Sequence, residues 1–193
     1  MEQAAAPVFV VVDGENIDAT LGTSILLRRP EPKERPRWDR VADFARSTWG
    51  PEARCLFYFN ATNLKFPNPF VQALTALNYR PVLLQGPPEV KIVDVAILRT
   101  LETLREIPGD VVLVSNDGDF LTGLEPLLDG TRRVGILGFR EHLSSSYLEL
   151  EQRGLEIYDL EHDVGAFNVV LPRLRIIPIE EFDPLLFLGP DPS

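Results

Sequence analysis

The 193-residue sequence contains one cysteine, Cys55, and two histidines, His142 and His162. A lone cysteine excludes an internal disulfide, and so few nitrogen and sulfur donors leave no set from which a structural zinc site of the usual composition is built. Cys55 lies inside the apolar run Ala53 to Phe59, a setting that suits a buried strand residue better than a nucleophile. No stretch approaches the roughly 18 uninterrupted apolar residues that a membrane span needs. Met1 to Val12 has no basic leader and its apolar run stops at Asp13, so it makes a poor signal peptide and a cytoplasmic location is the expectation. Basic residues are also in deficit: 19 Lys and Arg against 29 Asp and Glu leave a net charge of −10, which argues against binding nucleic acid through the general field of the molecule. That deficit still permits a local basic face, and it does not oppose a divalent cation. The glycine fingerprint of dinucleotide-binding folds is absent after the first apolar run, and there is no phosphate-binding P-loop.

What is present is an alternation of short apolar runs and amphipathic stretches, without internal repeats. The runs Val8–Val12, Ala53–Phe59, Tyr79–Leu84, Asp110–Ser115, Arg133–Phe139 and Leu155–Leu160 read as strands buried on both faces. Between them, helices are expected over Trp38–Trp49, Phe70–Leu77, Val90–Ile107, Phe120–Leu128 and Ser144–Glu151. The clearest is Val90–Ile107, with Val93, Ile97, Leu101 and Leu104 on one stripe and Pro108-Gly109 as its stop. Ile17 to Arg37 contains Pro30, Pro32 and Pro36 and is expected to be a long irregular loop. The alternation implies an α/β fold with right-handed crossovers, a mainly parallel sheet and helices on both faces. Residues 1–160 form one expected domain. Residues 161–193, where Pro172, Pro178, Pro184 and Pro190 interleave with Leu, Ile and Phe, form an expected Pro-rich tail that packs on the domain or on a partner.

Two of the strand runs end on acids. Val8–Val12 leads into Asp13-Gly14-Glu15-Asn16, and Val111–Val114 leads into Ser115-Asn116-Asp117-Gly118-Asp119-Phe120. In an open α/β sheet, ligands bind beyond the carboxyl ends of the strands, so these acids stand where chemistry is expected. Asp94, in the first turn of the Val90–Ile107 helix, is placed on the same edge. Grouped carboxylates without His or Cys suit Mg²⁺ or Mn²⁺, which polarises a phosphodiester and lowers the pKa of an attacking water. Each acid also has a plainer reading: Asp13-Gly14 as a turn, Asp94 as a complement to the helix dipole, Asp117 to Asp119 as a turn with an N-cap. Asn16 and Ser115 read either as caps or as neutral oxygens near the ion. Lys91, one turn before Asp94, reads either as a solvated lysine or as a phosphate holder. Gly118 is expected to let the backbone turn so that Asp117 and Asp119 face one ion.

The ordered motifs Val-Val-Val-Asp13-Gly14-Glu-Asn16, Lys91-Ile-Val-Asp94-Val and Val-Leu-Val-Ser115-Asn-Asp117-Gly118-Asp119-Phe120 resemble the NYN domain of the PIN-like nuclease superfamily. The resemblance spans about Val8 to Leu160, and the Ser-x-Asp-Gly-Asp-Phe element is its most specific part. It implies a Rossmann-like (PIN-like) sheet of strand order 3-2-1-4-5, an acidic metal pocket on the carboxyl edge, and metal-dependent ribonuclease activity. Asp13, Asp94, Asp117 and Asp119 match the family's acidic positions, Asn16 and Ser115 its polar neighbours, and Lys91 a basic residue that precedes the helix acid. The basic Pro-rich insertion at 22–37, Asn116 in place of a small residue, and the Pro-rich tail depart from the pattern without removing an acid. A haloacid-dehalogenase phosphatase, another fold with a leading Asp, fits less well: it needs a second Asp where this chain has Glu15.

The expected function is therefore hydrolysis of RNA phosphodiester bonds at a Mg²⁺ or Mn²⁺ site held by Asp13, Asp94, Asp117 and Asp119. Between residues 28 and 40 there are six basic residues against three acidic, so Arg28, Arg29, Lys33, Arg35 and Arg37 are candidates to grip RNA phosphates. The plainer reading of that segment is a solvated, disordered loop. The competing class is a non-catalytic NYN-fold regulatory or interaction module, acting through the tail or as a homodimer.

Overall fold

A computed structural model describes residues 6–173 and 179–188. Its strands are β1 (Val8–Val12), β2 (Ala53–Asn60), β3 (Tyr79–Leu84), β4 (Asp110–Val114), β5 (Val134–Gly138) and β6 (Leu155–Asp159). They form one parallel sheet of order β3-β2-β1-β4-β5-β6, the order implied by the resemblance with β6 added at the edge. β1 and β4 lie at the centre with apolar side chains on both faces, which is why they read in sequence as unbroken apolar runs rather than as alternations. β3 is an edge strand, half exposed, and accommodates Pro81 where a central strand would lose a ladder hydrogen bond.

The strands alternate between two cores. Val8, Val10, Val12, Phe57, Val112 and Val114 pack on one face against α1 (Gly14–Thr20), α2 (Trp38–Thr48) and α3 (Asn68–Ala76). Phe9, Val11, Val111 and Leu113 pack on the other against α4 (Ile92–Leu104), α5 (Leu121–Leu124) and α6 (Ser145–Glu151). The predicted stripe of α4 is the buried one, and Ile97 and Leu101 are fully enclosed. Truncating a side chain of that kind to Ala costs roughly 2–5 kcal/mol.

Two expectations are corrected. Ile17 to Arg37 is not irregular from its start. α1 continues through a wide helical turn over Leu21–Leu26, and Ile17, Leu21 and Ile25 are buried on one face at spacings of four. The prolines act only later, after Leu27 ends the helix in a left-handed conformation. Phe120–Leu128 is not one helix either. It is a 3-10 turn, a single α-helical turn (α5) and a second 3-10 turn containing Pro126, whose missing N–H prevents a continuous ladder.

Beyond β6, Ala166, Phe167 and Leu171 are buried in the α1–α3 core, and Phe167 stacks on Phe139 with ring centroids 5.7 Å apart. Arg40 fastens this segment by donating to the carbonyls of Gly165 and Phe167. Pro178 and Pro190 of the expected tail lie outside the described residues. Among the described residues, no helix is long and apolar enough to cross a membrane.

Candidate metal centre

β1 and β4 are neighbours, and the connections leave them in opposite directions along the sheet, so a crevice opens where both end. At the exit of β1, Asp13 caps α1, its Oδ1 accepting the Asn16 N–H at 3.2 Å. Its Oδ2 accepts from the Ser115 hydroxyl at 3.2 Å, and that hydroxyl oxygen accepts the Asp117 N–H at 3.1 Å. The Asn16 side-chain oxygen accepts the Asn116 N–H at 2.8 Å. Three polar side chains from two strand exits are thus stitched together before any ligand is involved. Asp13 is only 3% exposed. Burial pushes its carboxyl up to about 6; hydrogen bonds from Asn16 and Ser115 oppose the rise, and the charges of Asp94 and Glu15 add to it.

At the exit of β4 the acids are more open. Asp117 accepts the Asp119 N–H at 2.9 Å, and the Tyr147 hydroxyl donates to the Asp117 carbonyl at 2.6 Å, fixing the turn. Asp94 projects from the first turn of α4. Carboxylate oxygens of Asp94, Asp117 and Asp119 all lie within 4.8 Å of one another. The neighbouring cleft, of about 300 Å³, is bordered by Asp13, Asn16, Lys91, Asp94 and Asp117, together with Glu15 and Asn60. Lys91 reaches across the acids, its Nζ 3.4 Å from Asp94 and 3.6 Å from Asp119. Those carboxylates, Asp94 first, hold the ammonium above its usual pKa.

The predicted residues therefore divide. Asp94, Asp117 and Asp119 form a group that could share one cation. Asp13 lies outside that group at the back of the cleft, with one oxygen engaged by Asn16 and the other by Ser115. The donor set is all oxygen, with neither His nor Cys, and fits a hard divalent ion such as Mg²⁺ or Mn²⁺. The capping readings of Asp13 and Asp117 hold as well, since each accepts a backbone N–H at a helix start. Gly118 does not have positive φ, so the turn at Asp117 to Asp119 does not depend on glycine's freedom.

Asn116, read from sequence only as a departure, has a defined structural task. Its amide nitrogen donates to the Phe139 carbonyl at 2.8 Å and its oxygen accepts the Phe139 N–H at 3.0 Å, extending the β4–β5 ladder by one side chain. A Cβ at Gly138 would come within 3.0 Å of that oxygen, so glycine there leaves room for the clamp. Asn60 and Glu15 were also missed. The Asn60 N–H donates to Glu15 Oε1 at 3.2 Å, a contact across 45 residues with no local signal.

The basic segment is ordered and largely self-neutralised. Arg28 forks onto Glu34 at 2.6 and 2.8 Å, Lys33 pairs with Glu31, Arg35 with Asp18 and Arg37 with Asp39. The Arg28 hydrogen bonds hold Glu34 down at about 2. Arg29 alone of the five has no acidic partner among the described residues. Cys55 is buried in β2, where desolvation pushes its thiol up to about 11, well away from nucleophilic use.

Residues 7–154 match the family model of the NYN domain. The chain belongs to the NYN domain family. The PIN-like superfamily is the usual context of that family. A crystal structure of a protein of unknown function from Vibrio parahaemolyticus RIMD 2210633 is similar at a TM-score of 0.61 and 18% identity, covering 84% of this chain and 98% of that one. At that identity the likeness speaks for the fold alone. No curated protein matches the sequence. All four acids, Lys91, Asn16 and Ser115 lie within the matched NYN span, whereas the segment from Leu155 onward, including β6, lies beyond it.

Proposed function

We propose that this NYN domain is a metal-dependent ribonuclease of the cytoplasm that hydrolyses RNA phosphodiester bonds. The observation that carries the reading is the convergence of the Asp94, Asp117 and Asp119 carboxylates, from two separate elements, at the reversal point of the sheet. Asp94 and Asp117, half-buried, would hold a Mg²⁺ or Mn²⁺ ion, and Asp119, exposed, would complete the set or orient the hydrolytic water. Such an ion, when bound, polarises the phosphodiester and lowers the pKa of the attacking water. Asp13, Ser115 and Asn16 act behind them, holding the Asp117 turn in register with β1. Lys91, now paired with Asp94 and Asp119, would be the residue to hold a phosphate oxygen once those carboxylates were engaged by an ion. Arg29 is the basic residue of the 28–37 segment best placed to meet phosphate without first breaking an ion pair; Arg28, Lys33, Arg35 and Arg37 contribute only after exchanging partners.

One observation favours the second reading, a non-catalytic interaction module. Lys91 already supplies a positive charge to Asp94 and Asp119, so the acids have an internal counter-ion. Cleavage of labelled single-stranded and structured RNA with Mn²⁺, Mg²⁺ or EDTA, using the parent and Asp117→Asn, separates the two. The nuclease gives products that require the ion and Asp117. Products that persist in both EDTA and Asp117→Asn would sink the mechanism, and no products under any condition favour the module.

A further inference from the structure

An apolar pocket of about 420 Å³ opens beside the acidic cleft and shares Glu15 with it. Its walls are aromatic: Trp38 at the start of α2, Phe57 and Phe59 on β2, and Phe70 on α3. Phe57 stacks on Phe59 at 4.8 Å, while Trp38 and Phe70 meet Phe57 edge-on at 4.9 and 5.5 Å. Three of these rings are buried; Phe70 is half-buried and has surface to offer. Gly14, which precedes the shared Glu15, lines the pocket. A Cβ there would come within 2.1 Å of the Phe57 ring, so the backbone between Asp13 and Glu15 lies flush on that ring. The rim is polar, formed by the carboxylates of Glu15 and Asp18 and by Arg35, whose Nε lies 3.4 Å from Asp18.

We propose that this pocket holds an unpaired guanine base of the RNA strand whose phosphodiester lies over the acidic cleft, an inference that rests on the nuclease reading above. Volume and aromatic lining suit a planar ligand of nucleobase size. Phe70, the ring with surface to offer, can stack on any base, because every base has a π-face. The rim selects among them. Two carboxylates against one guanidinium leave it net negative, which suits a neutral ring edge that presents donors. Guanine offers two adjacent donors, N1–H and the N2 amino group, beside the O6 acceptor, matching a carboxylate flanked by a guanidinium. Adenine and cytosine place a ring acceptor next to their amino group, which a carboxylate repels, and uracil offers a single donor between two acceptors. A base in this pocket is out of any duplex, so the strand is single-stranded or looped.

The test is a nuclear magnetic resonance titration of the full chain with guanosine, adenosine, cytidine and uridine in EDTA, where the metal site plays no part. Guanosine is expected to bind about tenfold or more tightly than the other three, in line with bidentate base recognition. Phe70→Ala is expected to weaken it by about tenfold, a typical loss for one stacked ring, and Phe70→Trp to retain it. The retained ring separates a lost stacking face from a damaged fold. Equal affinity for all four nucleosides, or guanosine binding indifferent to Phe70→Ala, would overturn the proposal. With Mn²⁺ present, RNA oligomers carrying a single guanine are expected to be cut beside it. Cutting indifferent to guanine overturns the base pocket and leaves the acidic centre standing; selective guanosine binding in EDTA without any cutting supports the pocket and counts against the nuclease.

Discussion

The exits of β1 and β4 lie side by side and both carry acid, yet they are built in opposite ways. Asp13 is buried, receives two hydrogen bonds from its own chain and has its carboxyl raised to about 6. Asp117 is half-buried and Asp119 exposed; both lie close to Asp94, and among the described residues Lys91 is the cation paired with Asp94 and Asp119. Desolvation is the difference. A carboxylate removed from water and tied to fixed donors holds a turn in place, whereas carboxylates that keep access to solvent can change partners. On the proposed reading, the first kind organises the site and the second kind would hold the ion. A tight turn and a metal pocket are therefore not competing explanations of one motif: the capping bonds of Asp13 and Asp117 are what aim the neighbouring carboxylates.

The strongest break in this comparison is Asp117→Asn, expected to lower metal-dependent RNA cleavage by more than about 100-fold, because even residues that merely orient metal ligands are worth 10- to 100-fold. Gel assays of product formation with Mn²⁺ check it, and activity within tenfold of the parent would contradict the division drawn here. Asp13→Asn is expected to act in the other direction on folding. Its folded pKa of about 6 lies above the ordinary value of 3.8, so the ionised carboxylate opposes folding at neutral pH, fully so above pH about 6. The substitution should therefore stabilise the metal-free protein by on the order of 1–3 kcal/mol near pH 7, with the gain vanishing as pH falls below about 4. Urea unfolding across that range measures it, and a gain that grew toward acid pH would have the wrong sign.

Ser115→Ala sharpens the link between the two exits. It removes the hydroxyl that bridges Asp13 to the Asp117 N–H and leaves buried groups unpaired, at a cost of about 1–3 kcal/mol. Calorimetric Mn²⁺ titration should weaken by about 10- to 100-fold although no ligand carboxylate has changed. The smallest expected effect is Lys91→Gln. Removing an exposed ammonium that competes for Asp94 and Asp119 should tighten Mn²⁺ binding by about two- to fivefold, while RNA affinity in EDTA falls. Weaker Mn²⁺ binding in this variant would show that Lys91 supports the acids rather than occupying them.

Much of the frame was legible because burial on both faces writes itself into composition. The strand runs of β1 and β4 are apolar without alternation, and the acids that follow them stand out by contrast. α1 was obscured because prolines 30, 32 and 36 dominated the reading of the segment, although Ile17, Leu21 and Ile25 carried a helical spacing upstream of them. α5 was overextended because Leu121, Leu124 and Leu128 suggest a helix that Pro126 interrupts. The basic count of residues 28–40 was legible but its meaning was not. Charge content is local, whereas pairing Arg35 with Asp18 depends on folding the segment back onto α1.

By itself, the sequence determined the parallel α/β class, the strand runs and the placement of Asp13, Asp94, Asp117 and Asp119 near one edge, because periodicity and turn chemistry act within a few residues. Only the tertiary structure decided which carboxylates share a space, that Asp13 lies buried behind them, and that Glu15 joins the acidic cleft to a wall of aromatic rings. Those outcomes follow from strands brought together across 45 to 100 residues, and from the desolvation that results; neither leaves a mark on the neighbouring sequence.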